Sequence, residues 1–173
     1  MQRSYRSATD WGSVPASTEA FKSAMRHVPT GVTVITTVHD GHDAGFTANA
    51  FASVSADPPM LLICVNRSAS SHGLISASGI FCVSLLAREQ QPIAEKFAGG
   101  EPKERFAGVE IERGPLGTAI IAGSLAHFEC RLAEEHTAGT HTIFIGEVIA
   151  CGSRPGEPLG YYDRSYRDFG LSA

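Results

Sequence analysis

Residues 47–55 read Thr, Ala, Asn, Ala, Phe, Ala, Ser, Val, Ser. In an extended strand, alternate residues face opposite sides. Thr47, Asn49, Phe51, Ser53 and Ser55 therefore share one side: hydroxyls, an amide and one ring in a row. Ala48, Ala50, Ala52 and Val54 share the other, which suits close packing on a neighbour. The polar row has two uses: it faces water, or it hydrogen-bonds a planar, polar ligand. A second candidate is Asn66-Arg67-Ser68-Ala69-Ser70-Ser71, ahead of a short helix from about His72 to Ser78. Serines at a helix start act as caps. The same amides and hydroxyls, with Arg67, also suit a phosphate.

Other chemistries lack their residues. The chain has no GxGxxG, no usable G-x-S-x-G elbow and no nucleophile–base pair. Its four cysteines, Cys64, Cys82, Cys130 and Cys151, form no CxxC pair, and three lie in apolar segments. They read as buried, inert thiols of a cytoplasmic protein. Seven histidines show no close ligand spacing, so no metal site is expected. A net charge of −4 without a basic block argues against nucleic acid. No apolar run approaches the ~20 residues of a membrane-spanning helix, so no membrane partner is expected.

The elements around these residues are mostly strands. A helix is expected over 18–28, with Thr18 or Ser17 as cap, stopped by Pro29. Strands are expected over 31–38 and 44–55, joined at Asp40-Gly41. Others fall over 60–65, 79–86, 125–133, 142–150 and 159–162, with a helix over 87–98 ended by Gly99-Gly100. Residues 107–119 read as a glycine-rich loop, and 163–169 as a turn carrying Tyr166. Without strand–helix alternation, a mainly β fold with flanking helices is the expected class. With 173 residues and 43% apolar content, one domain over 18–173 is expected. Residues 1–17, polar and broken by Gly12 and Pro15, read as a disordered arm. Trp11, the only tryptophan, either pins that arm to the body or a partner, or does neither.

The motifs PTGVTVITT (29–37) and GFTANAFASVSADPP (45–59) resemble the signature of the short-chain NAD(P)H:flavin oxidoreductases. These are the flavin reductase components of two-component monooxygenases. The similarity continues through ICVN (63–66), GIFCVSLL (79–86), EKFAG (95–99), AHFEC (126–130), HTIFIGEV (141–148) and PLGYYDRSYR (158–167). It implies a Greek-key FMN-binding split β-barrel, dimeric with a second copy of itself, with flavin in a groove near the interface. The implied activity, of the EC 1.5.1 type, is oxidation of NADH or NADPH with reduction of FMN or FAD. Reduced flavin would pass to a separate monooxygenase. Two alternatives stand beside it: a split-barrel flavoprotein that retains its flavin and reduces another acceptor, and a flavin-binding module without turnover.

The resemblance also implies site residues. Flavin contacts fall at Pro29, Thr30, Gly31 and Val32, and then at Thr47, Ala48 and Asn49, where many relatives have serine for Asn49. Ser53, Val54 and Ser55 follow, with Asn66, Ser68 and Ser71 near the ribityl phosphate, and Phe97 and Ala98 at the flank. His141 matches a histidine beside the nicotinamide, and Tyr166 an aromatic residue bordering the same pocket. Relatives read Gly-Asp-His where this chain has Gly139-Thr140-His141, so a threonine hydroxyl replaces the acceptor beside the imidazole. Arg164 and Arg167 either steer an anionic cofactor or are plain surface charges.

Overall fold

The computed structural model describes residues 16–170. Nearly all of the expected arm, including Trp11, lies outside the described residues. Of the two expected caps it is Ser17 that serves: its Oγ accepts from the Ala20 N–H at 3.2 Å and caps α1 (Thr18–Met25). The helix ends three residues earlier than expected, because Pro29 disfavours helical geometry ahead of it and removes a donor.

The chain continues through β1 (Thr30–Gly31), β2 (Thr33–His39), β3 (His42–Ala48), β4 (Phe51–Ala56), β5 (Pro59–Asn66), α2 (His72–Ser78) and β6 (Ile80–Leu85). Then come α3 (Gln91–Ala98), β7 (Ile111–Arg113), β8 (Ala119–Ile121), β9 (Ala126–Ala138), β10 (His141–Ser153), β11 (Leu159–Tyr162) and β12 (Ser165–Asp168). Seven strands form one antiparallel sheet in the order β3-β2-β6-β9-β10-β5-β4. Its two edges, β3 and β4, do not pair. Phe46 of β3 and Phe51 of β4 nevertheless pack on the same buried cluster as Ile35, Ile63, Val83, Cys130 and Phe144. The sheet thus curls round one core without closing its ladder, and Ile75 of α2 packs into it. This is the expected mainly β, split-barrel architecture with its Greek-key order.

A second cluster lies outside the barrel: Val32, Val34, Leu86, Ala94, Phe97, Ile121 and Leu159. β2 is consequently buried on both faces, which explains its unbroken run of β-branched residues. α3 lies on β3, with Phe97 so close that a Cβ at Gly45 would meet its ring at 2.9 Å.

Four expectations change. Residues 44–55 are not one strand: β3 stops at Ala48, and Asn49-Ala50 carry the chain to the opposite edge of the sheet. An open seam must be crossed by residues outside any ladder, so the polar row is divided there. The segment 107–119 is not all loop, because β7 and β8 pair within and beyond it. Buried Glu129 organises this region, accepting from the Thr118 N–H and hydroxyl and from the Leu116 N–H. The β9–β10 strands are longer than expected, with only Gly139-Thr140 between them, so His136–Ala138 are strand and not connection. Finally, Cys151 is exposed, whereas burial pushes the Cys82 and Cys130 thiols up to about 12.

Candidate functional site

The site begins where β2 comes apart from its neighbours. At Val32 the backbone bonds two ways: its N–H donates to Leu159 O at 3.0 Å and its carbonyl accepts from Leu86 N–H at 2.9 Å. The Leu159 N–H donates in turn to Leu86 O at 3.0 Å. One residue earlier the chain leaves the barrel, and β1 pairs with β11 instead. Thr30 then lies opposite Tyr161, and Tyr161 opposite Tyr166 of β12. The two tyrosine rings meet edge-on, with centroids 5.6 Å apart at 69°. This is a favourable aromatic geometry. Together they wall a pocket of about 220 Å³ lined by Val32, Thr47, Ala48, Asn49, Ala98, Tyr161 and Tyr166.

Thr47 and Asn49 each have a defined partner there. The Thr47 hydroxyl donates to Ala94 O at 2.6 Å, tying β3 to α3 and leaving its oxygen free to accept. Asn49 Nδ2 donates to Thr30 Oγ1 at 3.2 Å, and its amide is otherwise exposed. Burial, followed by the Glu95 carboxylate and the Tyr161 phenol, raises the Tyr166 pKa, so the phenol stays protonated and able to donate. No carboxylate, thiol or imidazole lines the pocket. It can hold a flat aromatic ring with a polar edge between tyrosines and small alanines. The reacting groups must then come with the ligand.

Six residues singled out from the sequence thus converge from positions 32 to 166: Val32, Thr47, Ala48, Asn49, Ala98 and Tyr166. Thr30 and Gly31 form β1 beside them, and exposed Pro29 precedes it. Tyr161 was missed. Phe97 does not line the pocket; it is fully buried under α3, edge-on to Phe106 with centroids 5.0 Å apart. Its side chain fixes the position of Ala98 and offers no surface to a ligand.

A second group gathers at the adjoining end of the sheet. The Cys64 N–H donates to Ala50 O, which brings the end of β5 alongside the seam at Asn49-Ala50. Asn66 Oδ1 accepts from the Ser68 N–H and hydroxyl, both at 2.9 Å, shaping the 66–71 loop. His141 opens β10 directly opposite Asn66, with Nδ1 2.9 Å from Thr140 Oγ1. The threonine therefore does engage the imidazole. Ser71 is buried and makes no capping bond through its side chain, so the serine-cap reading fails for it. Ser53, Val54 and Ser55 lie farther along β4, at a bulge; Val54 is exposed, and the Ser55 hydroxyl accepts from the Asp57 N–H. These three do not line the pocket.

Comparison with known proteins agrees with this geometry. Residues 25–170 match the flavin reductase like domain. The chain is 38% identical to the NADH-dependent FMN reductase RutF of Stutzerimonas stutzeri, over all of this chain and 99% of that one. It is 40% identical to HsaB of Rhodococcus jostii, the reductase subunit of a flavin-dependent monooxygenase, over 84% of this chain and 75% of HsaB. Among solved structures, the NADH:FAD oxidoreductase SgcE6 of Streptomyces globisporus superposes with a TM-score of 0.86 at 36% identity, covering 91% of this chain and 96% of its own.

Proposed function

We propose the following task for this chain, which belongs to the flavin reductase-like family. It oxidises NADH or NADPH, reduces FMN or FAD taken up as a second substrate, and releases reduced flavin to a separate monooxygenase component. The observation that carries this reading is the convergence of Val32, Thr47, Ala48, Asn49, Ala98, Tyr161 and Tyr166 on one pocket lined by no carboxylate, thiol or imidazole. Such a lining suits a reaction in which the nicotinamide and the flavin themselves supply the redox step. The chain's part is to hold two flat rings at about 3–3.5 Å and to exclude water.

In this reading Val32, Ala48, Ala98, Tyr161 and Tyr166 hold the flavin ring, while Thr47, Asn49 and Thr30 meet its polar edge. Pro29 and Gly31 shape the entrance by their backbone. Asn66, Ser68 and Ser71, with Arg67, take the ribityl phosphate, and His141 borders the nicotinamide. Ser53, Val54 and Ser55 belong to the site only if a ligand extends along β4. The pocket of about 220 Å³ is smaller than the roughly 300–1,000 Å³ of typical ligand sites. A second copy of the chain would complete it, and exposed Phe21, Met25, Val28 and Val54 offer apolar surface for that contact. The chain works as a single domain from residue 18 onward. None of its four thiols is paired, which suits the reducing cytoplasm.

The test is consumption of NADH and NADPH by flavin-stripped protein, followed by ultraviolet absorbance with and without added FMN or FAD. Oxidation that requires flavin and saturates with it is the expected result. Oxidation that persists with tightly retained flavin and a different acceptor would favour a flavoprotein of the same fold. Flavin binding with no oxidation under any pairing would leave a binding module and remove the enzyme reading.

A further inference from the structure

A cavity of about 380 Å³ opens where β9 begins and β10 ends, and it shares no lining residue with the ring pocket. Unlike that pocket, it falls within the roughly 300–1,000 Å³ of typical ligand sites. Its floor is apolar, made by Ile120 and Ile121 of β8, both buried. Groups behind the floor hold it in place. The Ser84 hydroxyl accepts from the Ile121 N–H at 3.2 Å, and Gln90 Nε2 donates to Ala122 O at 2.8 Å. Gly123 then turns at φ 71°, and its carbonyl accepts from both Nε and Nη2 of Arg154. Arg154 also donates from Nη1 to Pro155 O at 3.1 Å and from Nη2 to Glu89 at 3.4 Å. The edge of this guanidinium is engaged and its charge offset, so its flat face is the surface it offers. On the other wall His127 lies opposite Gly152, so close that a Cβ at 152 would meet the imidazole at 2.6 Å. Four polar side chains of the lining, Glu112, Ser124, His127 and Ser153, make no hydrogen bond or ion pair with another described residue. One such group on a surface is ordinary. Four around a preformed cavity with an apolar floor make the arrangement of a small-molecule site. Glu112 and Glu89 together set two carboxylates against the one guanidinium, which favours a cation.

We propose that this cavity binds a small aromatic molecule carrying a cationic nitrogen, an amine or amidine, at a site separate from the ring pocket. The cation meets the Glu112 carboxylate in a charge-assisted hydrogen bond, and the Ser124 and Ser153 hydroxyls accept from its other N–H groups. The ring rests on Ile120 and Ile121 beside the flat face of Arg154, since a guanidinium stacks on aromatic faces. His127 closes the side, donating or accepting according to its tautomer. The inference stands independently of the functional reading above.

The experiment uses the full chain and isothermal titration calorimetry, with benzamidine as probe and benzamide and benzoate as its neutral and anionic counterparts. Wild-type protein is expected to bind benzamidine with a Kd of about 1 mM or lower, and the two counterparts about tenfold more weakly. Glu112→Gln, at an exposed position, removes the charge and should weaken benzamidine binding about tenfold, as expected for a lost charge-assisted pair. Gly152→Ala drives the His127 ring from its place and should weaken it as well. Saturating FMN should leave the benzamidine Kd unchanged, because the two pockets share no residue. Four results would each overturn the proposal: no benzamidine binding by wild type up to about 10 mM, equal binding by wild type and either folded variant, benzoate bound as tightly as benzamidine, or displacement of benzamidine by FMN. A protein that binds no FMN but loses benzamidine in Glu112→Gln would sustain the cavity and remove the flavin reading. If Gly152→Ala fails to fold by circular dichroism, Glu112→Gln decides.

Discussion

Val34 and Ile35 are neighbours on β2 and both are fully buried, yet they serve different halves of the molecule. Ile35 points into the barrel, where Ile63, Phe81, Val83 and Phe144 fill the space from several strands. Val34 points outward, into the layer formed by Leu86, Phe97, Ile121 and Leu159. The inner cluster is enclosed by the curled sheet. The outer one runs out at Tyr161 and Tyr166, and the pocket opens at that margin. Stability and ligand recognition are therefore assigned to opposite faces of one strand. Substitutions on the two sides should separate into different measurable effects.

The largest expected separation is between Phe144→Ala and Tyr166→Ala. Emptying the fully buried Phe144 site should cost about 3–5 kcal/mol in denaturant unfolding. Tyr166→Ala should cost about 1 kcal/mol through the lost aromatic pair, while raising the flavin KM roughly tenfold, the change expected from about 1.4 kcal/mol of binding. Equal losses of stability in both would break the division.

Alkaline titration probes both sides: Cys130 belongs to the inner cluster, while Cys82, between Phe81 and Val83 on β6, faces the other way. Cys82 and Cys130 are held protonated in the fold, at about 12 against 9.0 for a free thiol. Between those values the unfolded chain binds fewer protons, so stability is constant below pH 9 and falls as pH rises toward 12. The slope should approach roughly 1.4 kcal/mol per pH unit per thiol. Urea midpoints measured from pH 8 to 11 should show this slope, reduced in Cys82→Ala; a flat wild-type profile would contradict it.

Gly45→Ala sharpens the comparison by acting across it. Its Cβ would meet the Phe97 ring at 2.9 Å and the Ile35 carbonyl at 3.0 Å. Overpacking should cost about 1–3 kcal/mol and push α3, with Ala98, away from the pocket. Stability and flavin KM should worsen together. Asn49→Ala gives the smallest effect: the exposed bond to Thr30 is lost, with a few-fold rise in flavin KM from about 0.5–1.5 kcal/mol. The melting temperature should stay within error, and Asn49→Ser should recover most of the KM.

Much of the inner side was legible in the sequence, because a β-branched run such as TVITTV reads as a strand. The outer margin was harder to read. Alternation across 47–55 suggested one strand, since nothing in an alternating pattern marks where a ladder ends and the chain crosses a seam. Tyr161 was overlooked because Asp163-Arg164 lacks the glycine of a familiar hairpin turn. Both residues nevertheless adopt positive φ, 48° and 62°, and that fold-back sets Tyr161 against Tyr166. Phe97 lay in a matching motif, but helix periodicity cannot tell a side chain that lines a pocket from one that props up its wall.

The three-way junction of Val32, Leu86 and Leu159 also governs the order in which the molecule can assemble. β1 has no partner until β11 exists, and the two are separated by almost the whole chain. Contacts of such sequence separation form late and slowly. A nascent chain can gather its barrel strands up to Ser153 while the ring pocket still lacks the Tyr161–Tyr166 wall. Pulse-labelled hydrogen exchange during refolding should therefore protect the Ile35 amide before that of Val32. A newly made copy would be folded before it could bind.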